Sequence, residues 1–329
     1  MLRKIALALA LAAPACAQAP NNTGELHAEV PSVTLQDLTN MNRVVSRRIA
    51  GQPAPSAWVD AWGGKTDSGA DGGARPFDFS GSGEVVGFDR ALNDHTTLGA
   101  FVGHSSNDLK LGGLADGANA EGLRYGFFGR HDAGGWRVIG MFGFSENDVK
   151  SSRHVTVGGA DALATAAYQA DGWSALAEVS RLWTHAGWEL EPSAALQYAH
   201  ARSNTFTEAG LIAISLSAPE THADSVLGSV GARARYPTTL DAGRPLVPEV
   251  RLRLQRELDS SAHAFTATPA AGVVPFTING GTLDRTVAVV GAGVTVALTQ
   301  TAWMWLSYDG QLSSRTDTHI GEVGLRVGF

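Results

Sequence analysis

From Ala57 to its last residue the chain is a long series of segments in which apolar and polar positions alternate. In "GWELEPSAALQYAH", Trp188, Leu190, Ala194, Leu196 and Tyr198 share one side, and Glu189, Glu191 and Gln197 share the other. In "EVRLRLQREL", Val250, Leu252 and Leu254 oppose Arg251, Arg253, Gln255 and Glu257, and in "LRYGFFGR", Leu123, Tyr125 and Phe127 oppose Arg124 and Arg130. A period of two is the signature of a strand with two different faces. It predicts about twelve strands, near 56–64, 80–91, 95–108, 119–132, 135–149, 167–184, 187–203, 221–237, 246–259, 282–298, 301–313 and 318–329. The alternation runs to the terminus, where Val323, Leu325, Val327 and Phe329 interleave with Glu322, Gly324, Arg326 and Gly328. The end of the chain is therefore read as part of the fold rather than a frayed tail.

The connections alternate in length. "LNDH" (92–95), "DAGG" (132–135), "HAG" (185–187) and "TQT" (299–301) are short, whereas 65–79, 109–118, 150–166, 204–220 and 260–281 are long. Short turns at one end and long loops at the other are the layout of an up-and-down outer-membrane barrel. A soluble sandwich has no reason to sort its loops in this way. Charges on the inner face of a small dry barrel would cost several kcal/mol per ion, and a hydrated lumen removes that penalty. Arg124, Arg130, Glu178, Glu189, Glu191, Arg233, Arg235, Arg251, Arg253 and Arg326 are the expected lumen-lining residues. The eight tryptophans, most of them near strand ends, read as a set like the aromatic girdles of such a barrel. The fold class expected is all-β: a transmembrane up-and-down antiparallel β-barrel of about twelve strands over 56–329, with a short N-terminal α-helix before it.

Two segments precede the strands. "MLRKIALALALAAPACAQAP" places Arg3 and Lys4 before an apolar run and then Ala15-Cys16-Ala17, the layout of a secretory signal peptide with cleavage expected after Ala17. Ala13 stands three positions before Cys16, where a lipoprotein signal would want a residue such as Leu, so a mature chain without a thiol is expected. Residues 18–35 read as a short segment of their own. In "VTLQDLTNMNRVVSRRIAG" (33–51), Leu35, Leu38, Met41, Val44, Val45 and Ile49 recur at helical spacing, Arg43, Arg47 and Arg48 give a basic side, and Gly51, Pro53 and Pro55 act as stop signals. A helix over 36–51 follows, one that could also lie on a membrane surface.

These features together resemble the autotransporter β-domain, the translocator of type V secretion. The resemblance is carried by "AWVDAWGG" (57–64), "GFDRALNDHTTLGAFVGHSSND" (87–108), "LRYGFFGRHDAGGWRVIGMFGFSENDVK" (123–150), "WELEPSAALQYAH" and the closing "GEVGLRVGF". It implies that the helix, with Met41, Arg43, Val44, Arg47 and Arg48, occupies the pore and joins an exported passenger to the first strand. Arg43, Arg47 and Arg48 are then expected to face acids such as Glu178, Glu189 and Glu191. It also implies that Val323, Leu325, Val327 and Phe329 form the signal read by the barrel assembly machinery, with periplasmic chaperones and outer-membrane lipids as partners of a monomeric barrel. Two departures stand out. Little chain is available as passenger between signal and helix, and Thr39-Asn40 before Met41-Asn42 replaces the Asn-Asn pair of the self-cleaving branch, so no self-cleavage by that route is expected.

Composition changes the picture little. A net charge of −7 with dispersed Arg and Lys gives no basic patch for nucleic acid. There is no G-x-S-x-G, no H-E-x-x-H and no paired-cysteine metal motif, so no catalytic residue, metal or cofactor is expected. His131-Asp132 falls in a short turn, and His154, His185, His200, His222 and His319 are scattered. The function expected is an outer-membrane barrel of a Gram-negative bacterium that passes or tethers an N-terminal segment at the cell surface. A stand-alone pore or loop-display barrel is the second reading, and a loop-borne hydrolase the third.

Overall fold

A computed structural model describes residues 24–51, 55–70, 75–157, 160–210, 215–240, 243–259, 264–269, 274–280 and 285–329. The expected signal peptide, with Ala15 and Ala17, lies outside the described residues. Among the described residues one helix, α1 (Glu25–Gly51), is followed by eighteen strands. Twelve of them close the barrel: β1 (Ser56–Ser68), β2 (Phe77–Asn93), β3 (Thr96–Leu111), β4 (Gly117–Ala133), β5 (Trp136–Val157), β6 (Ala160–Arg181), β8 (Trp188–Ser203), β11 (Thr221–Arg235), β13 (Pro245–Glu257), β16 (Thr286–Ala297), β17 (Ala302–Leu312) and β18 (Thr316–Gly328). Short β7 (Trp183–His185) and β12 (Thr238–Thr239) follow β6 and β11 and pair with β8 and β13 at the short-turn end. Every neighbouring pair is antiparallel, and β18 pairs with β1 from Ser56↔Gly328 to Ser68↔Thr316. A sheet that must sit in lipid has to close, because a free edge there leaves backbone groups without partners. Phe329 continues the closure, its N–H directed to the Pro55 carbonyl at 3.4 Å and its ring 6.0 Å from that of Phe88.

The outward face is a defined apolar band. On β5 it runs Trp136, Val138, Phe142, Phe144 and then turns to Glu146, Asp148 and Lys150. Nine residues of tilted strand match a hydrocarbon layer. Tyr125 donates to Glu146 at 2.8 Å at the upper boundary, and Trp136, Trp183 and Trp188 stand exposed at the short-turn end with Arg181 over the first two rings. These three fit an aromatic girdle. Trp58, Trp62 and Trp305 do not: they are 4, 7 and 4 % exposed and point inward. Trp58 and Trp62 share their strand face with Asp60, and their rings lie over Gly87 and Gly83 of β2, where a side chain would collide with them.

Above the band the barrel changes character. β5 and β6 run on together to the pair Val157↔Ala160, so the stretch 150–166, expected as a loop, is mostly a hairpin extension. The long loops after β8 and β13 also hold structure: β9 (Phe206–Thr207), β10 (Leu216–Ala218), β14 (Ala264–Pro269) and β15 (Phe276–Asn279) form a separate four-stranded sheet. With water outside, this region has an apolar interior in which Leu26, Val30, Phe79, Leu109, Phe206 and Phe265 are buried. Within the band, lipid is outside, and the inward face carries charges on β13, β17 and β18 but apolar side chains on β3–β6, where it meets the helix.

The helix begins eleven residues before the expected start. Pro31 removes one hydrogen-bond donor in the second turn, but Leu26, Val30 and Val33 continue the apolar stripe and are at most 5 % exposed. That burial carries α1 up into the apolar interior, for a length of roughly 40 Å. Residues 25–35 thus belong to the helix rather than to a separate segment.

Candidate functional site

The site is the lumen with its helix. Leu38, Met41, Val44 and Val45, all fully buried, share a cluster with Phe101, Phe128, Ile139, Met141 and Leu176 of β3–β6. Two glycines make this approach possible. A Cβ at Gly143 would lie 2.5 Å from Cε of Met41, and one at Gly172 would lie 2.9 Å from Cδ1 of Leu38. Polar contacts fix the rotation: Asn42 bonds Ser174 at 3.1 Å, Gln197 donates to Thr39 at 2.8 Å, and Gln36 donates to Thr66 at 2.9 Å. Asp37 pairs with Arg124, which also donates to Asn147 at 2.6 Å.

The arginines bridge to the opposite wall. Arg43 meets Asp309 at 2.5 Å, Arg47 meets Asp309 at 3.0 Å and Glu322 at 2.7 Å, and Arg48 meets Asp60 at 2.8 Å and also Glu322. Trp305 donates its indole N–H to Asp60 at 2.9 Å, and the Arg48 guanidinium sits 3.9 Å from the Trp305 ring centroid. At the foot of the helix Arg130 donates to the Ile49 carbonyl at 2.7 Å, placing a cation where the helix dipole favours one.

The expected acidic partners of the helix are therefore corrected. Glu178, Glu189 and Glu191 face the lumen, but they are held by wall arginines: Arg253 at 2.9 Å, Arg235 at 3.0 Å, and Arg137 and Arg233 at 3.0 and 2.5 Å. Arg251 joins Asp309 at 2.8 Å, and Arg326 joins Asp89 at 3.2 Å. Asp37, Asp60, Asp89, Asp309 and Glu322 were missed. Each strand acid among them sits in the polar phase of its strand, between inward neighbours, and that parity was the available signal. Val323, Leu325, Val327 and Phe329 all face outward, 43–70 % exposed.

At the long-loop end the helix is held from above. Buried His27 bonds Tyr168 at 3.1 Å and Glu208 at 3.0 Å, and Glu208 also takes Arg153 at 2.5 Å and the Leu216 N–H at 2.8 Å. Burial alone would raise the Glu208 carboxyl, but its bonds to His27 and Arg153 more than reverse this and hold it at about 2.

Residues 57–309 match the family described as Autotransporter beta-domain. The chain belongs to that family. The translocator domain of the autotransporter NalP from Neisseria meningitidis has the same fold at a TM-score of 0.75 and 18 % identity, over 93 % of this chain and all of that one. The β-domain of the Bordetella autotransporter BrkA follows at 0.63 and 18 %, over 84 % of this chain and all of that one. Two extracellular serine proteases of Serratia marcescens are 23 and 24 % identical over 93 % of this chain, which spans 30 % of their length. This autotransporter β-domain is accordingly an outer-membrane translocator barrel of the type V secretion class.

Proposed function

We propose that the barrel carries the segment preceding α1 to the cell surface and afterwards anchors it there, with the helix as the stem. The observation that supports this is the course of α1, which enters from the short-turn end beside β1 and reaches the long-loop end at Glu25. In an outer-membrane barrel the short turns face the periplasm and the long loops the exterior. The N-terminal side of the helix is then outside. No nucleotide is needed, since the lumen provides only a hydrated, charge-lined path and the apolar and ionic contacts of α1 hold the stem at the end. The outward row Val323, Leu325, Val327 and Phe329 would present the terminal strand to the assembly machinery before closure, and chaperones would keep it from pairing early. The chain's own chemistry is binding, not catalysis.

The test is an epitope placed after Ala19 and probed with antibody on intact cells, with insertion of the barrel checked in the same preparation. Staining without permeabilisation is the expected result. A hidden epitope in a properly inserted barrel would defeat the export reading and leave a pore or loop platform in its place.

A further inference from the structure

The helix does not fill the lumen evenly. It lies against the β3–β11 wall, and the arginines that cross to β1, β17 and β18 leave a cavity of about 400 Å³ at the periplasmic end, beside the turn between β11 and β13. Six arginines and two carboxylates, Glu189 and Glu249, line it. Both carboxylates are already taken, Glu189 by Arg235 and Glu249 by Arg251. Three N–H donors in the lining are buried and have no acceptor among the described residues: Nε of Arg47, Nε of Arg235 and the indole Nε1 of Trp58. Trp58 is 4 % exposed, so this donor is aimed inward with nothing to receive it. Unpartnered buried donors are uncommon in folded proteins, and here they gather on one arginine-rich cavity.

We infer that this cavity binds a small soluble oxyanion bearing two or more negative charges, of the phosphate or polycarboxylate class. Such a solute brings the acceptors that the indole and the guanidinium groups lack. Charge-assisted bonds from arginine to such oxygens are short and directional. Chloride offers neither several acceptor atoms nor the shape. Binding would also tie Arg47 of the helix to Arg235 of the wall through a shared ligand, tightening the stem at its base.

The experiment uses the full chain folded in detergent micelles, with heat-shifted gel migration as the check of folding. Pyrophosphate, citrate and chloride are titrated at matched ionic strength by calorimetry. Saturable one-site binding of pyrophosphate or citrate, absent for chloride, is expected. Trp58→Phe keeps an aromatic ring but removes the indole N–H, and Arg235→Lys keeps the charge but removes the guanidinium with its Nε donor; each should weaken binding about tenfold. Arg253→Gln, whose partner is Glu178 outside the cavity, should bind as the unaltered chain does. Equal heats for chloride and pyrophosphate, or unchanged binding in both donor variants, would overturn the inference.

Discussion

Arg48 of the helix and Asp60 of the first strand meet at 2.8 Å, with the Arg48 guanidinium over the Trp305 ring and Asp60 accepting the N–H of that same indole. The pair ties the end of the stem to the strand that begins the barrel. Removing one member of a buried pair leaves the other charge without compensation, which costs about 3–5 kcal/mol. Asp60→Asn should therefore lower the temperature at which the folded band is lost on heat-shift gels. An unchanged transition would show that Glu322 alone suffices for Arg48.

Met41 and Gly143 should behave as a coupled pair. Met41→Ala deletes a fully buried side chain, for about 2–5 kcal/mol. Gly143→Ala introduces a methyl against Met41 Cε, and the two changes together should cost less than their sum by about 1 kcal/mol. Strict additivity in denaturant titrations would mean that the helix does not press on this wall.

How much of this was readable from the residues differs by feature. Strand number and face follow from period-two alternation, which needs no tertiary context, so Arg124, Arg130 and Arg251 could be placed in the lumen beforehand. Trp58 and Trp62 were misread because nearness to a strand end was weighed above parity with Asp60. The helix start was hidden by Pro31, a local stop that a large buried surface overrode. The acids that hold Arg43, Arg47 and Arg48 depend on how far the helix is inserted and rotated. Those quantities are set by Gly143, Gly172 and Ser174 on distant strands, and no spacing along the chain encodes them.

The Glu208 cluster sets an acid limit on the surface cap. Its carboxyl is held at about 2 against an ordinary 4.5, so its contribution is complete above about pH 4.5 and is lost as the pH falls through about 2. Cleavage of the loops after β8 and β13 by pepsin should rise across that window while the barrel stays folded. Arg153→Gln takes away a lowering partner and should move the onset to higher pH. The same onset in both chains would contradict the role given to this cluster.

The apolar band sets its own penalty. Leu196 is 53 % exposed in the middle of the outward face, so Leu196→Arg should destabilise the barrel in lipid vesicles by about 2–4 kcal/mol. Glu146→Arg, above the band, should change stability little. Equal effects at the two positions would mean the band is misplaced.

The central claim is that α1 occupies and closes the lumen. Planar-bilayer conductance of the full chain, compared with that of the chain lacking residues 25–51, tests it most directly, with heat-shifted migration confirming that both barrels are folded. Small, rarely open currents for the full chain and large, steady steps for the shortened one are the expected result. Equal conductance from two folded barrels would mean that the helix does not sit in the pore.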